Sequence, residues 1–257
     1  MSESTPTVVL VHGAFADGSS WNGVIERLRA RSVAVTAPPN PLRGVSSDSA
    51  YIASVFNQTP GPVLAVGHSY GGAVISNAAA QADNVVGLVF VAAFAPDEGE
   101  ALGEVEAASK DSVLNSALVP HQYPTANGDS AVEFAIDPAK LRDAFAADLP
   151  PEQTALMAVT QRRVAEAAFS EPNGAPAWKR LPSWAVVATA DKAAGADVIR
   201  RQAERADATI TEVEGSHVIM ISQPQAVTDV VLDAVAATQS SEGAGWSNAL
   251  VEAYLDE

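Results

Sequence analysis

The decapeptide "AVGHSYGGAV", residues 65–74, sets one serine between a histidine and a tyrosine and follows with two glycines. Gly67-His68-Ser69-Tyr70-Gly71 is a G-x-S-x-G pattern, which average glycine and serine usage produces by chance in about one chain in ten of this length. The flanks say more. "VLAV" leads in as an apolar, β-branched run and "GAVISNAAA" leads out with helical spacing, so the pentapeptide spans a strand–turn–helix junction. Glycines on both sides keep Cβ atoms apart where strand and helix cross. The serine hydroxyl then projects from the carboxyl edge of a sheet, at a helix N-terminus that favours negative charge. That is a placement for attack rather than for turning the chain.

Working outward, apolar runs at 7–12, 33–38, 63–69, 85–93, 184–190 and 209–214 read as strands. Their near-continuous apolar character fits a parallel sheet covered on both faces. Helical patterns separate them, and Pro224 suits the first turn of the last helix. The alternation predicts an α/β, doubly wound, mostly parallel six-stranded sheet. Residues 96–182 break the rhythm with helical or irregular sequence rich in Pro, Gly and Asp. They are read as a helical cap inserted into a core of residues 1–95 and 183–237. "TQSSEGAG", residues 238–245, reads as a spacer, and "WSNALVEAYLDE" as a short helix with Ser247 as cap and Trp246 packing on Val251. That tail either docks on its own chain or makes a homodimer contact.

A serine hydroxyl needs a base, and four histidines are available. His12 lies in the loop after the first strand, His121 in the cap, and His68 beside the serine, expected to point away from it. His217, in "EVEGSHVIMISQP", directly follows the last strand and is the candidate base. A carboxylate must hold its tautomer. "WAVVATADKAAGAD" offers Asp191 at the end of its strand, with Asp197 six residues on as the rival. An oxyanion needs donors, and "VLVHGAFADGSSW" turns at a glycine after the first strand. The backbone N–H groups of Ala14 and Tyr70 form the natural pair.

Composition narrows the classes. The 257-residue chain has no cysteine, which excludes thiol catalysis, and no His/Asp/Glu cluster with metal spacing. A net charge of −16 argues against nucleic acid or anionic membrane as partners. No G-x-G-x-x-G follows the first strand, so no nicotinamide or flavin cofactor is expected. The longest apolar run is too short to span a bilayer, and the N-terminus resembles no signal peptide, which predicts a cytoplasmic protein.

"VLVHGAFADGSSW", "GHSYGG", "ATADK" and "EGSHVIMISQPQAV" together resemble the α/β-hydrolase superfamily. Within it they are similar to the branch holding plant methylesterases, hydroxynitrile lyases and bacterial esterase-like relatives. The resemblance implies Ser69 as nucleophile, His217 as base, Asp191 as acid and the Ala14 and Tyr70 amides as oxyanion hole, with no cofactor. Two departures stand out. Val218 follows His217 where the lyases carry a lysine, which disfavours cyanohydrin cleavage, and the loop after Asp191 lacks the usual proline. The expectation is an esterase for small, largely apolar esters, its pocket drawing on Phe15, Trp21, Leu118 and Phe134. The alternatives are a lyase or a lactone- or C–C-cleaving enzyme on the same triad, and a ligand-binding protein without catalysis.

Overall fold

A computed structural model describes residues 5–253, with side chains through Gln239. Nine strands and ten α-helices lie along it. The strands are β1 (Thr7–Val11), β2 (Val35–Thr36), β3 (Val63–His68), β4 (Val85–Val91), β5 (Leu118–Pro124), β6 (Ser130–Ile136), β7 (Val164–Ala165), β8 (Ser183–Ala188) and β9 (Thr209–Val213). The helices are α1 (Asn22–Ala30), α2 (Val45–Gln58), α3 (Tyr70–Ala79), α4 (Leu102–Ala107), α5 (Leu141–Phe145), α6 (Pro151–Thr160), α7 (Ala167–Ser170), α8 (Ala196–Arg205), α9 (Ile219–Ser222) and α10 (Pro224–Ala253).

Six strands form one sheet in the order β2-β1-β3-β4-β8-β9, each neighbouring pair parallel. Every residue of β3 and β8 is buried, which requires helices on both faces and explains why these strands read as unbroken apolar runs. α1 packs on α10, and α2 on α3. Trp21, Phe56 and Phe90 have no exposed surface beyond 1%. Burial of each such side chain contributes about 1.5–3 kcal/mol. Because all six strands run the same way, their carboxyl ends lie along one edge, where β1, β3, β8 and β9 each hand the chain to a loop.

Residues 96–182 carry four of the helices, α4 to α7, but also a separate antiparallel sheet, β5-β6-β7. This sheet differs from the helical or irregular reading. β5 contains Pro120 and Pro124, residues that sequence rules demote from strands, yet it is an edge strand, where an absent N–H costs no ladder bond. The backbone N–H of Ala165 in β7 donates to the carbonyl of Leu42 at 2.9 Å and ties the segment to the core.

The C-terminal reading is corrected as well. α10 continues without a break through residues 238–245, where a spacer was expected. Its two glycines there cost about 1 kcal/mol each relative to alanine, too little to stop a helix already propagating. The expected Ser247 cap, the Trp246–Val251 contact and any dimer contact through them lie outside the described side chains. Among the described residues no helix is long and apolar enough to cross a membrane.

Candidate active site

Ser69 stands between β3 and α3 with φ 52° and ψ −123°, a conformation that costs a non-glycine residue about 1–3 kcal/mol. Three backbone bonds hold it there. Its N–H donates to Val91 (3.4 Å), while its carbonyl accepts from Gly72 (3.0 Å) and Phe94 (3.2 Å). Phe15 and Ala92 also have positive φ. Strain thus gathers just beyond the carboxyl ends of β1, β3 and β4, three adjacent strands. The glycines of the pentapeptide answer to crowding. A Cβ on Gly67 would lie 2.5 Å from the Gly71 carbonyl oxygen, and one on Gly71 2.5 Å from that of Val11.

Tyr70 opens α3, where its N–H has no intrahelical acceptor. Its ring is fully buried, and its hydroxyl donates to Asp48 Oδ2 at 2.8 Å, anchoring the turn to α2. Burial pushes the Asp48 carboxyl above its ordinary range, and burial followed by the charge of Asp48 pushes the Tyr70 phenol well up.

His217 lies between β9 and α9, 1% exposed, and its Nδ1 is 2.7 Å from Oδ2 of the equally buried Asp191. The other carboxylate oxygen of Asp191 accepts the N–H groups of Ala193 (2.9 Å) and Ala194 (3.0 Å). A carboxylate only accepts, so the proton between them sits on Nδ1, and in the neutral ring the lone pair is on Nε2. Asp197 has different partners: the Ser109 hydroxyl at 2.5 Å, the Lys110 N–H and Arg201. Burial acts to raise its carboxyl, but these bonds outweigh it and hold the group down to about 2. The geometry brings Asp191, and not Asp197, to the histidine.

The loop bearing His217 is fastened from two sides. The His68 ring is tilted against that of His217, centroids 4.7 Å apart, and its Nε2–H donates to the His217 carbonyl at 2.9 Å. Burial keeps His68 neutral, its pKa well below the ordinary value. From the cap, Asp148 accepts the N–H of Ser216 at 2.9 Å and also its hydroxyl. No sequence signal marked Asp148, because an aspartate before a proline pair reads as turn chemistry.

His12 organises the loop that carries Ala14. Its Nε2 accepts the Asn40 N–H at 2.9 Å, so its Nδ1–H donates to the Gly13 carbonyl at 2.9 Å. Burial, foremost, holds the ring down from 6.5 to about 4. The folded protein therefore resists a proton that the unfolded chain accepts. The stability this group contributes is full above pH 6.5 and is lost as pH falls from there towards 4, on the order of 3 kcal/mol. An NMR titration is expected to show the His12 ring neutral down to near pH 4; a midpoint near 6.5 refutes this account.

Ser69, His217 and Ala14 line one enclosed cavity of about 10 Å³, room for about one water. Phe15 lines it too. Trp21 does not: it is wholly buried, its ring edge-on to His68. Leu118 packs against the core, and Phe134 stands one layer back, its ring 6.4 Å from that of Phe169. The walls that sequence reasoning missed are Glu106, Leu114, Phe145 and Phe169 from the cap and Phe94, Ala193 and Ala194 from the core. The apolar ones among them look like any core position in sequence, and Glu106 like a residue of an exposed helix face. A wider cavity of about 330 Å³ adjoins it, reaching Asp17, Gln153 and Met157, and Phe15 and Phe145 line both. Their rings meet edge to face, centroids 6.1 Å apart.

A strained serine and an imidazole on the wall of one cavity can act in nucleophilic catalysis. Comparison with known structures agrees on architecture. A pyrethroid hydrolase from Sphingobium faniae JZ-2 superposes with TM-score 0.75 at 20% identity, covering 91% of this chain and 98% of that one. Polyneuridine aldehyde esterase gives 0.75 at 19%, covering 90% and 99%. The methylesterase MES16 from Arabidopsis gives 0.74 at 18%, covering 90% and 99%. No curated protein matches the sequence. Residues 8–230 match the alpha/beta hydrolase family, and on that match, over most of its length, the chain belongs to this family.

Proposed function

We propose that the protein is a serine hydrolase of carboxylic esters with a small, largely apolar acyl or alcohol part. Ser69 attacks the ester carbonyl while His217 Nε2 takes the hydroxyl proton, and Asp191 holds the imidazole and offsets the charge it gains. The carbonyl oxygen becomes an oxyanion facing the N–H groups of Ala14 and Tyr70, where one donor is worth about 2.7–4 kcal/mol. His217 then delivers the proton to the departing alkoxide and an acyl-enzyme remains. Water, deprotonated by the same imidazole, attacks it and releases the acid and the free serine. The single observation that carries this reading is the 2.7 Å contact of His217 with Asp191 at the wall of the cavity that Ser69 also lines.

Among the structural relatives, one is named an esterase and one a methylesterase, which agrees with the sequence resemblance to that branch. Val218, beside His217, is apolar and 1% exposed. The position that would need a cation for cyanohydrin cleavage thus offers none. The wider cavity gives the ester its approach, past the Phe15–Phe145 ring pair, to the serine.

The test is product analysis with the purified protein on aryl esters of increasing acyl length, a set of lactones and a cyanohydrin. Turnover is expected on short esters, falling as the acyl chain outgrows the pocket, with no cyanide released. Cyanohydrin cleavage without ester hydrolysis would sink the proposal.

A further inference from the structure

Glu106 lies on α4, is 7% exposed and lines the cavity of Ser69 and His217. Its neighbours in that wall include Phe15, Phe94, Leu114, Phe145 and Phe169. An ionised carboxyl in such surroundings costs several kcal/mol unless a cation accompanies it. Among the described residues Glu106 makes no ion pair; its partners are the side chains of Ser112 and Asn115.

The proton count at Ser112 decides the form of the acid. Its hydroxyl is in hydrogen-bond contact with Glu106 Oε1, lies 2.7 Å from the Ala193 carbonyl oxygen and accepts the Leu114 N–H at 3.2 Å. A hydroxyl has one proton to give. Were Glu106 charged, its oxygen and the Ala193 carbonyl would compete for that proton. With a proton on Oε1 the chain runs from Glu106 to Ser112 to the Ala193 carbonyl, and every group is satisfied. Burial pushes the Glu106 carboxyl upward, in the same direction.

We propose that Glu106 is a specificity residue: a neutral acid whose remaining acceptor capacity takes a hydrogen bond from a hydroxyl of the substrate, so that the preferred ester carries a hydroxyl close to its reacting carbonyl. The inference rests on the ester-hydrolase reading above. A neutral acid presents a dipole and not a charge, so an ammonium group in the same place is not favoured.

The test compares kcat/KM for butyrate esters that are unsubstituted, or carry one hydroxyl on the acyl chain or on the alcohol, or carry an ammonium at those positions. The wild type is expected to favour one hydroxylated ester by about tenfold over its unsubstituted parent. Glu106→Gln keeps a carbonyl acceptor and an N–H for Ser112, and is expected to retain the preference. Glu106→Leu is expected to bring the ratio to about one. Equal kcat/KM for all uncharged esters in the wild type overturns the proposal and leaves the ester reading intact, whereas no turnover of any ester overturns both. A preference for an ammonium ester, or loss of the hydroxyl preference in folded Glu106→Gln, overturns the neutral-acid assignment.

Discussion

Replacing Ser69 with alanine is expected to lower ester turnover by about four to six powers of ten, because among the described residues no other hydroxyl lines its cavity. The fold should survive. Alanine must adopt the same positive φ as serine, and the bonds that hold it there come from the backbone, which the substitution leaves in place. Circular dichroism and thermal melting of the variant should therefore match the wild type. A fluorophosphonate probe should label the wild type at Ser69 and leave the variant unmodified. Retained turnover in a folded Ser69→Ala protein would falsify the proposed mechanism. Failure of the probe to label the wild type would favour a ligand-binding protein on this fold.

Exchanging Asp191 for asparagine is expected to cost about four powers of ten in kcat, and the structure says why. Oδ1 of Asp191 accepts two backbone N–H groups, from Ala193 and Ala194. The asparagine carbonyl takes that place, since an amide nitrogen cannot accept, and the amide N–H₂ is left facing His217 Nδ1. A donor there draws the lone pair to Nδ1 and moves the ring proton to Nε2, the wrong tautomer for a base. Asp197→Asn is the comparison. Asp197 binds Ser109, Lys110 and Arg201 instead of the histidine, so its effect on kcat should stay within about fivefold. Should the asparagine at 197 cost the large factor and that at 191 the small one, the acid is assigned to the wrong residue.

Both substitutions test residues to which the sequence pattern alone points. Ser69 was legible because its chemistry and its backbone geometry leave one mark: a serine between glycines where an apolar strand passes into a helix. His217 was legible by its place after the last strand. Asp191 and Asp197 were both legible as candidates, and choosing between them was not a matter of pattern. Six residues apart on one loop, they diverge because Asp191 turns inward to two backbone amides and an imidazole while Asp197 begins α8 and reaches out to the cap.

The residues of the pocket were the least legible. Phe145, Phe169, Leu114 and Glu106 come from a segment whose composition suggested irregular structure, and its antiparallel sheet was hidden by prolines that only an edge strand tolerates. The sequence determined the alternating α/β core, the strand–turn–helix at Ser69 and the residue types available for chemistry, because these follow from local periodicity and backbone sterics. Only the tertiary structure decided which carboxylate meets the imidazole, which cap side chains enclose the serine, and that a glutamate is among them. Such contacts join positions far apart along the chain, and their energies depend on burial and on hydrogen-bond counts that exist only once the parts are packed.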